Sequence, residues 1–253
     1  MRFLPPQLAE PAAKRAEMLL GLFYPNICQL CEKEPATKAM GYVGEACRAD
    51  VKFIQAPMCD RCGLPFEGDI TQRFECTNCK ELDLSFKWSR ASVVSKSEGT
   101  VLEVIHRFKY NGGLWFEPFL VELWLEGAKA TLATEKFDLI VPVPLHPHKE
   151  REREFNQAER LVRAIAKQTN LRVGDKLIER VVDTRTQTRL DRKERAANVK
   201  GAFAMRKGLK LNGERILVVD DVLTTGATTS ACAKTLLKAG AGEVCVWTVA
   251  RGL

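Results

Sequence analysis

Histidine is scarce in this chain: three residues in 253, at positions 106, 146 and 148. None stands with a Ser or Cys in a pattern that marks a nucleophile and its base, so covalent catalysis of the triad kind has little to work with. His106 falls in a helical stretch beside Arg107 and Lys109, and His146 and His148 flank Pro147. All three read as solvated or locally bonded, with a phosphate contact as the alternative. Long apolar runs are missing too. Apolar residues make up 45% of the chain but are dispersed, which excludes a membrane-spanning helix. Glu10, Lys14, Arg15 and Glu17 interrupt the start, unlike a secretory leader. The spacing of Ala13, Ala16, Leu19, Leu20 and Phe23 predicts instead an amphipathic helix within residues 1–25. The expected location is the cytoplasm. Low-complexity tracts are absent, and no ladder of aromatics interleaved with bases marks a single-strand nucleic-acid groove. Phe86, Trp88, Phe108, Tyr110 and Trp115 read as core. Charge is only mildly one-sided, 39 basic against 32 acidic residues for a net +7. That suits phosphate-rich ligands or nucleic acid, and equally an ordinary basic surface.

Cysteine, by contrast, is plentiful and confined. Seven of the nine lie between Cys28 and Cys79. Cys59/Cys62 and Cys76/Cys79 each have the two-residue gap that lets one tight turn present two thiolates to a tetrahedral metal. Together they form a complete four-cysteine set, the pattern of a zinc ribbon with a structural ion, since four protein ligands leave no open position for chemistry. A cytoplasmic setting disfavours the disulfide alternative. The other half is incomplete: Cys28 and Cys31 are followed by Cys47, and Asp50 stands where a fourth cysteine is expected. A site of three cysteines and one aspartate, a site that binds no metal, and an interleaved ligand pairing all stay open. The composition divides the chain into a double zinc-ribbon module over 26–85 and an α/β domain over 86–253.

The most informative stretch is Ile216 to Thr228, which reads Ile-Leu-Val-Val-Asp-Asp-Val-Leu-Thr-Thr-Gly-Ala-Thr. Its apolar opening predicts a buried strand with Asp220 and Asp221 at its carboxyl end, followed by a helix over 227–239. In open α/β sheets ligands bind at the carboxyl ends of strands, and anions settle at the following helix amino terminus. The turn Thr224, Thr225, Gly226, Ala227 and Thr228 offers backbone N–H groups and hydroxyls to a phosphate, and Gly226 permits close approach. The two carboxylates suit vicinal sugar hydroxyls and a magnesium ion. A site for a ribose 5-phosphate follows. The alternatives are a buried strand ending in an acidic turn, and a phosphoacceptor receiver domain. The receiver needs about a hundred further residues after this strand, and the sequence stops at Leu253.

Between these regions the pattern predicts a strand over 88–94, helices over 100–110, 114–132 and 155–168, and a buried strand over 137–145 stopped by Pro142 and Pro144. The stretch His146 to Glu154 is expected to be a charged loop facing the same rim as the acid pair. Lys149, Arg151 and Arg153 would there reach a pyrophosphate; the plain alternative is a solvated charge run. The polar segment Thr184 to Asn198 is expected to close over a substrate, or else to be surface.

The strand, acid pair and Thr/Gly turn resemble the phosphoribosyl-pyrophosphate signature of type I phosphoribosyltransferases. That resemblance implies that Asp220 and Asp221 hold the ribose 2′- and 3′-hydroxyls, with Thr224 through Thr228 on the 5′-phosphate. In order along the chain, the Cys pairs, Ile105-His-Arg-Phe-Lys-Tyr110, Val141-Pro-Val-Pro-Leu145, Arg151-Glu-Arg153, Phe155-Asn-Gln157, Thr186-Gln187 to Leu190, Arg195, Asn198 and Asp220-Asp221 are similar to the ComF family, phosphoribosyltransferase-like proteins associated with bacterial DNA uptake. The implied fold is a mainly parallel sheet flanked by helices, preceded by a zinc ribbon. The implied ligands are phosphoribosyl pyrophosphate or a related sugar phosphate with magnesium, and structural zinc. The implied partners are single-stranded DNA or a DNA-uptake motor protein. Transfer would proceed by substitution at the anomeric carbon and would need no protein nucleophile, so a pentosyl transferase and a non-catalytic adaptor both fit. Two departures stand out: Asp50 in place of a cysteine, and Glu154 where the family has Gly, a carboxylate that would repel pyrophosphate or brace Arg151. Few residues follow the last predicted strand, 243–250, so no C-terminal hood is expected; an acceptor pocket would come from 93–125 or from the zinc module.

Overall fold

The computed structural model describes residues 26–68, 72–81, 84–95, 99–110, 112–184 and 192–252. The helix expected within 1–25 lies outside these, as does much of the segment expected to close over the site. The elements run α1 (Glu45–Ala49), α2 (Thr77–Glu81), β1 (Ser89–Ser95), α3 (Thr100–Tyr110), α4 (Glu117–Thr134), β2 (Leu139–Pro142), α5 (Pro147–Arg153), α6 (Gln157–Thr169), β3 (Ile178–Arg180), α7 (Arg192–Asn198), β4 (Phe203–Met205), β5 (Arg215–Leu223), α8 (Ala227–Lys238) and β6 (Glu243–Gly252). No helix among the described residues is long and apolar enough to cross a membrane.

The architecture is the mainly parallel sheet flanked by helices that the sequence implies. Four strands lie in the order β1-β6-β5-β2, all parallel. Helices cover both faces, which is why β5 and β6 read as continuous apolar runs rather than alternating ones. The pleat divides their side chains. Leu217, Val219, Cys245 and Trp247 pack with Phe108, Trp124 and Leu161 from α3, α4 and α6. Ile216, Val218, Val244 and Val246 pack on the opposite face with Cys232, Ala233 and Leu236 of α8. The helix α4 approaches β1 closely because residue 127 is Gly: a Cβ there would lie 2.4 Å from the Ser92 hydroxyl. That hydroxyl accepts from Trp247 Nε1 at 2.9 Å and donates to the Trp124 carbonyl at 3.2 Å, so two buried tryptophans are tied into one network.

The cysteine-rich module closes the β1 edge of the sheet. Val94 N–H donates to the Lys52 carbonyl and Ile54 N–H to the Ser92 carbonyl, and Phe53 bridges Val93 in antiparallel sense. An edge that would otherwise present unpaired N–H and C=O groups is thereby paired.

Two elements differ from expectation. The charged stretch after β2 is a helix, α5, rather than a loop. Pro147 takes its first position, where its fixed φ is pre-organised and its missing N–H costs nothing, and the His146 ring nitrogen accepts from His148 N–H at 3.3 Å. The antiparallel pair β3–β4 has three residues per strand, too short to leave a readable period.

The turn that ends α5 explains one departure from the family pattern. Glu154 caps the helix in the left-handed region, φ 67°. A residue with a Cβ is disfavoured there, and Gly is not. The exposed Glu154 side chain does not line the cavity described below. Glu154→Gly is therefore expected to stabilise the protein by about 1 kcal/mol, read as a raised urea midpoint with unchanged denaturant slope.

Candidate functional site

A cavity of 440 Å³ opens at the carboxyl ends of β2 and β5. The backbone from Asp220 through Thr229 forms one wall, with α3, α5 and the start of α6 opposite. The structure thus brings Asp220, Asp221, Thr224, Thr225, Gly226, Ala227 and Thr228 into one hollow with Lys149 and Arg153. Arg151 is not brought there. Lys149 and Arg153 are four residues apart and share one face of α5, whereas Arg151 lies on the other and is exposed.

β5 continues two residues beyond the acid pair, because β6 supplies partners for Val222 and Leu223. Asp221 is 5% exposed and its Oδ2 lies 2.6 Å from Lys109 Nζ. Its Oδ1 accepts from Val222 N–H at 2.7 Å, and Asp220 Oδ1 accepts from Asp221 N–H at 2.9 Å. Burial, and then the adjacent Asp221 charge, push Asp220 up to about 7 against the pull of Lys109. The ammonium of Lys109 is engaged by Asp221, which leaves Asp220 under-compensated among the described residues.

Gly226 adopts φ 81° and leads directly into α8, whose first residues, Ala227, Thr228 and Thr229, line the cavity. A Cβ at Gly226 would sit 3.4 Å from Phe86, so the loop rests against the chain leaving the zinc module. Ala227 N–H already bonds the Thr225 hydroxyl at 3.3 Å, and Thr229 donates to the Gly226 carbonyl at 3.1 Å. These contacts hold the turn in shape before any ligand arrives.

The opposite wall is cationic. Arg153 donates to Gln157 Oε1 at 3.1 Å and to the Tyr110 hydroxyl at 2.8 Å, and its guanidinium lies 4.7 Å from the Tyr110 ring centre. Arg180, on β3, is 8% exposed; it donates to the Thr184 hydroxyl, and its Nε has no partner. Burial, then the Arg180 and Arg153 charges, hold Lys149 below its ordinary value. Gln157, 3% exposed, leaves its Nε2 unpartnered as well. Unsatisfied buried donors beside crowded cations are an arrangement that an anion relieves.

Sequence reasoning did not single out Lys109, Arg180 or Gln157 as site residues. Lys109 and Gln157 stand in the quoted motifs around Ile105–Tyr110 and Phe155–Gln157, and Lys109 falls one helical turn after Ile105, which is a usable signal. Arg180 has none, because β3 is too short to show a pattern. The histidines divide: His106 lines the cavity with its ring 5.2 Å from Tyr110, while His146 and His148 lie 3.8 and 3.4 Å from Asp183.

The metal centres are the second feature. Cys59, Cys62, Cys76 and Cys79 converge, all buried. Their sulfur atoms lie 3.7 Å apart for Cys59–Cys79 and 3.6 Å apart for Cys62–Cys76 and Cys76–Cys79. A tetrahedron with zinc–sulfur bonds of about 2.3 Å has edges of about 3.8 Å, so the cage fits the ion. Burial raises the Cys59 thiol, but N–H groups of Cys62, Cys76 and Arg61 outweigh it and hold the thiol at about 7. The second group is Cys28, Cys31, Cys47 and Glu34, with Cys28 and Cys47 sulfurs 3.7 Å apart. Asp50 is therefore corrected. Cys47 lies within α1 rather than on a knuckle turn, and Asp50, exposed at the end of that helix, is not in the cluster. Glu34 takes the place, its carboxylate held by N–H groups of Ala46 at 2.9 Å and Cys47 at 3.2 Å. Gly44 makes room for it, since a Cβ there would lie 2.2 Å from the Glu34 side chain. An acid three residues after Cys31 is the signal in the sequence. Elemental analysis is expected to give two zinc ions per chain, falling to one in Cys59→Ser, with easier loss of one in Glu34→Ala and none in Asp50→Ala.

Residues 19–80 match the model of the double zinc ribbon domain. Over nearly its whole length the chain is similar to the DNA utilization protein YhgH of Salmonella typhimurium, 30% identical over 235 residues that cover 92% of this chain and 100% of that protein. Competence protein F of Haemophilus influenzae is 29% identical over 81% of this chain and 88% of its own. Competence protein ComFC of Bacillus subtilis is 26% identical over 81% and 82%. Among solved structures, an adenine phosphoribosyltransferase superposes on 59% of this chain and 75% of its own, with a TM-score of 0.36 and 13% identity. The chain belongs to the ComF/YhgH family of competence and DNA-utilization proteins.

Proposed function

We propose that the protein binds phosphoribosyl pyrophosphate, or a closely related sugar phosphate, with magnesium in the β5 cavity. One observation carries this: a single hollow is lined by an under-compensated acid pair, a hydroxyl and N–H turn at a helix start, and a cationic wall. Those three chemistries match the three parts of the ligand. The acid pair accepts hydrogen bonds from vicinal hydroxyls, the Thr224–Thr228 turn takes the 5′-phosphate, and Lys149, Arg153 and Arg180 take the pyrophosphate. Magnesium would neutralise charge on the departing pyrophosphate, and Asp220 and Asp221 are the carboxylates placed to hold it. The chain's own residues supply the rest of a transfer reaction. They fix the sugar, steady the leaving group and present His106 and Tyr110 of α3 beside the cavity for an acceptor.

Calorimetric titration with the magnesium complex of phosphoribosyl pyrophosphate tests this. Wild type is expected to bind, Arg180→Met to bind about tenfold or more weakly, and Asp220→Asn/Asp221→Asn not to bind measurably; a flat titration for wild type overturns the proposal. The pH dependence has a defined sign. Asp220 is raised in the folded protein, so the unliganded protein loses stability as pH rises from its ordinary value of 3.8 towards about 7. Ligand binding needs the ionised form and strengthens over the upper part of the same window. Asp220→Asn should thus melt higher than wild type at pH 8, with a smaller gap at pH 5.

A second reading concerns nucleic acid. Lys200, Lys210, Lys234 and Lys238 rim a separate hollow floored by Phe203, Met205 and Ala231. With the names of the relatives, this favours a role in DNA uptake in which single-stranded DNA or a motor partner docks on the α8–β4 face. Fluorescence anisotropy with labelled single-stranded DNA is expected to show salt-sensitive binding that Lys200→Glu/Lys238→Glu abolishes. Binding unaffected by that variant would move the contact elsewhere.

A further inference from the structure

The last strand carries a buried arginine that the cavity does not use. Arg251 is 4% exposed, although β6 is an interior strand where a lone charge is costly. It pairs in register with Leu223 of β5 and Val94 of β1, yet its side chain does not line the cavity. It reaches the zinc module instead, with Nη2 3.6 Å from Cys62 Sγ. Nε and Nη1 are buried and have no hydrogen-bond partner.

We propose that Arg251 is the counter-ion of the Cys59–Cys62–Cys76–Cys79 metal site and locks that site to the final strand of the sheet. Four thiolates around one divalent ion leave a double negative charge inside the protein. An arginine without a carboxylate leaves a positive one. The guanidinium offsets one of the two negative charges, and without the cage it would itself be an uncompensated buried charge. Sulfur environments within the cage are consistent with this division. Cys59 Sγ receives backbone N–H groups, among them those of Cys62 at 3.5 Å and Cys76 at 3.3 Å, whereas Cys62 Sγ receives the guanidinium. Outer-sphere partners of this kind set how tightly a metal is held. The Cys28–Cys31–Cys47–Glu34 site has no such arginine on its sulfurs among the described residues, so the two sites should differ in response.

The test uses the zinc-loaded full chain. Metal release to a chromophoric chelator is followed for wild type, Arg251→Gln and Arg251→Lys. Cobalt(II) spectra distinguish a ligand field of four thiolates from one of three thiolates and a carboxylate, and so assign each release step to its site. Arg251→Gln keeps a donor but removes the charge; it is expected to release metal from the four-cysteine site about tenfold faster or more, with the other site unchanged. Arg251→Lys is expected close to the wild-type rate. Wild-type release from Arg251→Gln, or release from Arg251→Lys as fast as from Arg251→Gln, overturns the proposal. If Arg251→Gln does not fold, a folded, zinc-loaded Arg251→Lys supports the charge requirement. Failure of both to fold overturns it.

Discussion

The parallel register between β5 and β6 is the constraint on which the rest of the molecule depends. It sets Asp220 opposite Thr248 and Leu223 opposite Arg251. A slip of one residue would turn every side chain to the other face of the sheet. In the native register, the two adjacent acids leave opposite faces of the same strand. Asp221 meets Lys109 on the α3 face. Asp220 meets the electrostatic influence of Arg180 and Cys232 on the α8 face. The two like charges nevertheless stay coupled across the strand, since Asp221 raises Asp220 and Lys109 draws on both. The same register delivers Arg251 to the cysteine cage, so acid pair and metal site are fixed by one ladder of hydrogen bonds.

Only part of the charge in the cavity is neutralised, by the Lys109–Asp221 pair. Asp220 is pushed up, while Lys149 and Arg180 are held down, each chiefly by burial. A structure optimised only for stability would pair these groups directly or replace them with apolar side chains. Keeping them apart across a 440 Å³ hollow stores unfavourable electrostatics that a ligand of alternating character can discharge. The unpartnered Nε of Arg180 and Nε2 of Gln157 belong to the same imbalance.

The parts legible in the sequence are those with local periodicity or fixed spacing. Ile216–Val219 announces a buried strand, Thr224–Thr228 a turn into a helix, and the paired cysteines a tetrahedral cage, because each depends on neighbours within a few residues. Long-range assembly is less legible. Nothing near Arg180 or Arg251 in the chain reveals that one reaches the cavity and the other a thiol, since both placements arise from strand order. Glu34 and Asp50 show the intermediate case. Both are acids at three-residue spacing from a cysteine, and the choice falls to Glu34 because α1 carries Asp50 away while Gly44 opens space for the other carboxylate. Arg151 departs from expectation for a related reason: within a loop it could reach the rim, but a helix assigns alternate faces to 149/153 and 151.

The zinc module and the cavity share a wall as well as a strand. Leu84 and Phe86 pack in the cluster that includes Cys59, Cys62, Cys76 and Cys79, and the same two side chains stand against Gly226. Arg61 of the Cys59–Cys62 knuckle donates to the Leu84 carbonyl, and Ser85 N–H bonds Ser230 of α8 at 2.9 Å. On the other side, Arg107 of α3 donates at 2.6 Å to the carbonyl of Gln29, next to Cys28, two residues before Lys109 meets Asp221. Each cysteine cluster therefore braces one element that shapes the cavity, the second cluster along the chain the Thr224–Thr228 turn and the first the helix bearing Lys109. A ribbon that served only as an appended docking module would not need to contact either. Its integration into the walls makes the cysteine cages part of the scaffold of the site.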